Sequence, residues 1–128
     1  LAIAAQKLWP YSVVTGSDMD AVSVTVSEEN AVTNDTPAIR FYVAAGYRHI
    51  LLAYMPKQDL IVSNILAKPL IKLAADTVKA LAPKGYLVLS GLLNWQEKDV
   101  LRAYKARGLQ HEHTIRRNGW SALVLRKA

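Results

Sequence analysis

Three groups of side chains in this sequence have types and spacings suited to chemistry. Asn64 interrupts an otherwise apolar run, Asp59-Leu-Ile-Val-Ser-Asn-Ile-Leu-Ala67. An apolar run of strand length that stops at an amide places that amide at the strand's carboxyl end, the edge where open α/β sheets bind ligands. Asn64 is then positioned to touch a substrate. Asn is also a favoured helix N-cap, and a helical pattern follows, so on local pattern alone the cap is the stronger reading. Asp18 and Asp20 sit at the end of a second β-branched run, where an Asp by itself is an ordinary turn residue. His111 and His113 fall on one face of a strand and make three imidazoles with His49. No carboxylate or cysteine lies at a supporting spacing, and no metal is expected.

The elements that must position these residues alternate along the chain. Leu1 to Leu8 reads as a helix ended by Trp9-Pro10, and Tyr11 to Thr15 as a strand running into a Gly16-Ser17-Asp18 loop. Ala21 to Asn34 mixes strand-like and helical spacings and is read as a helix. Asp20 can cap it, Thr25 and Glu28 offer a local pair, and Asn34-Asp35-Thr36-Pro37 stops it. Ile39 to Ala44 follows as a strand, then Leu60 to Ser63. Leu66, Leu70, Leu73, Ala74, Thr77 and Leu81 form one face of a helix that Pro83-Lys84-Gly85 terminates. Tyr86 to Ser90 is a strand, and Asn94 with Glu97 opens a helix closed by Gly108. Leu109 to Arg116 and Trp120 to Leu125, joined by Asn118-Gly119, form an antiparallel hairpin. A βαβα alternation that ends in a hairpin means an α/β fold with a mostly parallel sheet, expected as one domain over residues 1–128.

With 128 residues, 52% of them hydrophobic, the chain has material for a sizeable core. Its longest apolar runs fall far short of the roughly 20 residues that a bilayer span needs. It opens without the charged leader of a secretory signal, and a soluble protein is expected. There is no cysteine, so disulfides and thiolate metal sites are excluded, in agreement with a cytosolic protein. The net charge of +6 is uneven. Residues 1–100 carry nine basic and nine acidic side chains, residues 101–128 seven basic and one acidic. Such a patch suits an RNA or an acidic protein surface, but a solvated face is the favoured reading, and base-stacking aromatics are not interleaved with it. Tyr104 and Trp120 read as core or interface residues. Direct nucleic-acid binding is not expected.

Six segments in order carry a resemblance. Leu1-Ala-Ile-Ala-Ala-Gln-Lys-Leu8, Gly16-Ser-Asp-Met-Asp20, Glu29-Asn30-Ala31, Asp59 to Leu66, Leu87-Val-Leu-Ser-Gly91 and Gly119-Trp-Ser-Ala-Leu-Val124 together resemble the ribosomal protein L-eleven methyltransferases of the PrmA type. The resemblance implies a Rossmann-like class I methyltransferase sheet with a C-terminal antiparallel hairpin. It also implies S-adenosylmethionine as cofactor, amino groups of ribosomal protein L-eleven (lysine side chains and the N-terminus) as acceptors, and a cytoplasmic location.

By that resemblance Asp18 would accept hydrogen bonds from the two ribose hydroxyls, Met19 would pack on the adenine, and Asn64 would be the active-site amide, touching the cofactor as well. Ile65 and Leu66 would lie beside it, against the substrate. A carboxylate suits a vicinal diol because it can accept both hydroxyl protons. Methyl transfer needs no covalent enzyme intermediate, so catalysis would rest on holding a deprotonated amine in line. Asn-Ile-Leu-Ala in place of Asn-Pro-Pro-aromatic argues for the ribosomal-protein branch over those that modify glutamine or bases. Ala44-Ala45-Gly46 would floor the adenine pocket, although a simple turn explains it too.

The family's glycine-rich loop, the central strand before it and its small N-terminal recognition domain have no counterpart in the sequence. The expectation is therefore that the 128 residues alone bind cofactor weakly or not at all and expose unpaired strand edges. Two other readings remain open: another class I methyltransferase acting on RNA or a small amine, and a non-catalytic remnant.

Overall fold

A computed structural model describes residues 1–128, which divide into two units, Leu1–Tyr54 and Met55–Ala128. No helix is long and apolar enough to cross a membrane.

The first unit runs α1 (Ala2–Leu8), β1 (Thr15–Asp18), α2 (Ala21–Thr33), β2 (Arg40–Val43) and the short α3 (Ile50–Ala53). The strand expected at Tyr11–Thr15 lies further along the chain. The buried Gln6 side chain donates to the carbonyls of Trp9, Pro10 and Ser12, and Ser12 N–H returns to Trp9 O, which folds this stretch into a turn. Tyr11 and Val13 consequently face solvent. Parallel pairing begins only at Thr15↔Arg40 and ends at Asp18↔Val43, so Gly16 to Asp18 belong to the strand instead of to a loop. Gly16 is needed there, because a Cβ would meet the Phe41 ring at 2.7 Å. The expected helix and its cap both form: Asp20 accepts from Val22 N–H at 3.3 Å and Ser23 N–H at 3.2 Å. Thr25 bonds back to the Ala21 carbonyl, not to Glu28.

The second unit runs β3 (Gln58–Asn64), α4 (Ala67–Lys72), α5 (Ala74–Ala80), β4 (Leu81–Leu93), a 3-10 turn (Asn94–Gln96), α6 (Glu97–Lys105), β5 (Leu109–Arg117) and β6 (Trp120–Lys127). Its sheet has the order β3-β4-β6-β5, parallel between β3 and β4 and antiparallel elsewhere. Leu81, Leu87, Leu89, Leu92, Leu123 and Leu125 of the sheet close on Leu70, Ala74, Val100 and Tyr104 of the helices in one buried cluster. The Tyr104 hydroxyl donates to the Leu70 carbonyl at 2.8 Å, tying α6 to α4.

The single helix expected from Leu66 to Leu81 is two short helices that meet at Leu73, and its expected terminator lies inside β4. Leu81 pairs with Gln58, and pairing resumes only at Tyr86↔Leu60, so Ala82 to Gly85 bulge out of the ladder. A Pro is tolerated at such a bulge because its missing N–H is not needed. Lys84 takes φ +63 there, and Gly85 leaves no room for a Cβ, with Ala82 O at 2.8 Å and Gln58 O at 3.1 Å. The hairpin forms as expected, with Asn118 and Gly119 at φ +51 and +82, the left-handed pair that a tight two-residue turn demands.

Candidate functional site

In the second unit the candidate site is built at the carboxyl end of β3. Asn64 is the last strand residue, paired with Ser90 of β4. It does not cap the following helix: α4 begins three residues later, and the cap position, Leu66, makes no side-chain cap bond. The strand therefore delivers an exposed amide to the sheet edge, in the place its sequence setting suggested. Asn64, Ile65, Leu66, Ser90, Gly91 and Trp120 line a cleft of about 480 Å3. None of these six side chains titrates, so the cleft offers hydrogen bonding and apolar contact without acid–base groups of its own.

Besides Ser90, two further lining residues were not singled out as site residues by sequence. Trp120 starts β6, pairs with Leu93 and stays 52% exposed although it is a large aromatic. Gly91 stands in a bulge of β4: Leu89 pairs with Leu123 and Leu92 with Ser121, leaving Ser90 and Gly91 opposite Ala122 alone. The available signal for both was a polar or glycine break within an apolar strand next to an aromatic at a hairpin turn, which local pattern reads as folding alone.

A polar cluster joins the hairpin to α6. Arg116 donates to both oxygens of Glu97, and Ser121 Oγ lies 2.7 Å from Asn94 Oδ1 and also bonds Glu97 Oε1. Gln96 accepts from Leu93 N–H, so Asn94 and Glu97 do not make the local capping pair their spacing suggested. The Arg116 hydrogen bonds hold the Glu97 carboxyl below the usual glutamate range, against the opposing effect of burial, with Ser121 adding to the lowering.

In the first unit Asp18 and Val43 end neighbouring parallel strands, and Ala44 N–H donates to the Asp18 carbonyl at 2.8 Å. Asp18 Oδ1 accepts from Asp20 N–H at 2.9 Å, which fixes an exposed carboxylate at the strand terminus. Asp20 is committed elsewhere: the Ser23 hydroxyl, followed by the Val22 N–H, lowers its pKa as it caps α2. Met19 is 76% exposed. Gly46 takes φ +63, and Ala45 and Arg48 form a bridge, the signature of a turn after Ala44.

The His49 and His111 imidazoles are engaged separately within their own units. A bulge in β5 puts His111 opposite Leu125 and His113 opposite Val124, adjacent partners that point to opposite faces, so the two do not share a face as their spacing suggested. His111 instead bonds Thr114 at 2.7 Å, and His49 Nδ1 accepts from Leu51 N–H at the start of α3. No group of three or more histidine or acidic side chains is arranged to hold a metal ion.

Known proteins share the sequence and the fold of this chain. The family model described as Ribosomal protein L11 methyltransferase (PrmA) matches residues 1–128. The ribosomal protein L11 methyltransferase of Brucella suis is 42% identical over 127 residues, covering 98% of this chain and 44% of that protein. Its counterpart from Caulobacter sp. is 44% identical, covering 99% and 43%. The chain thus spans less than half the length of these curated relatives. A solved ribosomal protein L11 methylase from Lactobacillus delbrueckii subsp. bulgaricus has a TM-score of 0.88 at 31% identity, covering 99% of this chain and 64% of that one. The fold is the α/β Rossmann-like methyltransferase fold with antiparallel C-terminal strands.

Proposed function

Because the chain belongs to the ribosomal protein L11 methyltransferase family, we propose that residues 1–128 are a catalytic segment of a protein N-methyltransferase that uses S-adenosylmethionine. The acceptors are lysine side-chain and N-terminal amino groups of ribosomal protein L11, a substrate that puts the reaction in the cytoplasm. The observation that carries this reading is the family match along the whole chain, supported by an exposed amide at the carboxyl end of β3 inside an apolar-walled cleft. Activity is assigned to a family-length protein carrying this chain.

The residues of the first unit fit the cofactor. Asp18 has one oxygen steadied by Asp20 N–H, and its remaining lone pairs suit a vicinal diol. Met19 offers an exposed, polarisable thioether to the adenine ring. When bound, S-adenosylmethionine supplies an electrophilic methyl group on a sulfonium sulfur. The chain's own contribution is orientation. The Asn64 carbonyl accepts an N–H from the incoming amine, and the Ile65 carbonyl beside it is a second acceptor, so the nitrogen lone pair is aimed. Ile65, Leu66 and Trp120 cover the aliphatic stem and limit water. Since no lining side chain titrates, the proton that an ammonium must lose goes to solvent.

Calorimetric titration of a family-length protein with S-adenosylmethionine tests the assignment. Asp18→Ala should weaken binding by about tenfold or more, the worth of hydrogen bonds to a charged group. Unchanged affinity in that variant contradicts the reading.

A further inference from the structure

We propose that Gly91 is a positioning residue for Asn64: the side-chain-free bulge of β4 sets where the Asn64 carbonyl and the Ile65 carbonyl stand in the cleft. This rests on the reading of Asn64 as the amide that orients the amine. The geometry is direct. A Cβ on Gly91 would fall 2.6 Å from the Ile65 carbonyl oxygen, 3.1 Å from its carbon and 2.9 Å from Asn64 Oδ1. Both acceptor oxygens therefore rest against the same bare Cα.

Two features of the strand produce this contact. Parallel pairing of β3 with β4 ends at Asn64↔Ser90, so Gly91 is the first β4 residue past the last rung, where the chain leaves β3 through Ile65. The extra residue in β4 against β6, with Gly91 at φ +84, re-aims the strand at that point. A bulge with glycine in the left-handed region is a recurrent way to redirect a strand beside a site. Here it serves the β3 neighbour: any L side chain at position 91 must displace the Asn64 amide or the Ile65 peptide. Asn64 itself makes no side-chain hydrogen bond within the chain that would hold its carbonyl against such a push, so close packing sets its direction.

The test compares Gly91→Ala, Asn64→Ala and the double variant in a family-length protein carrying this chain, with turnover, KM and S-adenosylmethionine affinity measured for each. A displacement of about 1 Å at a reacting group can lower rate by about a hundredfold. Gly91→Ala should lose kcat on that scale with cofactor affinity unchanged, and the double variant should be slower than Asn64→Ala by far less than the Gly91→Ala factor, the remainder reporting displacement of the Ile65 carbonyl. A merely structural glycine would lower cofactor affinity as well, and its effect would multiply with that of Asn64→Ala; a lower melting temperature is expected in either case, because a Cβ at φ +84 is strained. Should Gly91→Ala fail to fold, Gly91→Asn carries the test, because Asn tolerates positive φ while still placing a Cβ against the amide. Near-normal kcat in the folded position-91 variant, or multiplying losses, overturns the inference alone. Full kcat in Asn64→Ala overturns the reading of the site and the inference with it.

Discussion

Arg116 and Glu97 form a two-pronged pair, Nε to Oε1 and Nη2 to Oε2, each at 2.7 Å, across 19 residues of sequence. The pair fastens β5 to the first turn of α6, and Ser121, next to the cleft residue Trp120, joins it through Glu97 Oε1. Two donors in a planar fork match a carboxylate in both direction and spacing, which makes this geometry more specific than a single surface contact.

The lowered pKa of Glu97 fixes a sign for acid stability. A carboxylate whose folded pKa lies below its unfolded value stabilises the fold above the unfolded pKa and loses that contribution as pH falls through the folded one. Glu97→Gln should therefore melt below the parent at neutral pH, and the gap should close on acidification below the ordinary glutamate pKa of about 4.3. Thermal melts at stepped pH give the answer. A gap independent of pH would mean that the pair contributes through packing alone.

Tyr104 is fully buried, and its hydroxyl reaches the Leu70 carbonyl at 2.8 Å. Tyr104→Phe keeps the ring in the core and strands a buried acceptor, a loss of about 1 to 2 kcal/mol in chemical denaturation. A neutral result would mean that solvent or another donor reaches Leu70 O.

Lys127 Nζ donates to the carbonyls of Val78 and Leu81 at 2.7 and 2.8 Å, at the end of α5 and the start of β4. Lys127→Met keeps the stem and removes the cation, which should cost about 1 kcal/mol and raise hydrogen exchange in the last turn of α5. Exchange that rises evenly along the chain would locate the effect elsewhere.

Much of this was legible in the residues. The alternation of strands and helices, the Asn118-Gly119 hairpin, the Asp20 cap and the strand-end position of Asn64 all follow from local pattern, and each is realised. The departures have long-range causes. Tyr11 to Val14 has strand composition, yet Gln6 gathers three of the nearby carbonyls and makes a turn. Leu66 to Leu81 keeps helical spacing throughout, but pairing of Leu81 with Gln58 starts a strand there. Glu97 sits at capping distance from Asn94, while its partners Arg116 and Ser121 come from the hairpin. Gly91 was invisible as a site residue because its role depends on a bulge whose register is set by β6 and on contact with β3. Local periodicity carries no information on such pairings.

The most direct measurement is the intact mass of ribosomal protein L11 after incubation with S-adenosylmethionine and a family-length protein carrying this chain, run beside its Asn64→Ala variant and with ribosomal RNA as an alternative acceptor. Stepwise methyl additions to the protein are expected, none to RNA, and a loss of about a hundredfold in rate with Asn64→Ala. Methyl groups on RNA, an unmodified ribosomal protein, or equal rates in the variant would contradict the proposed function.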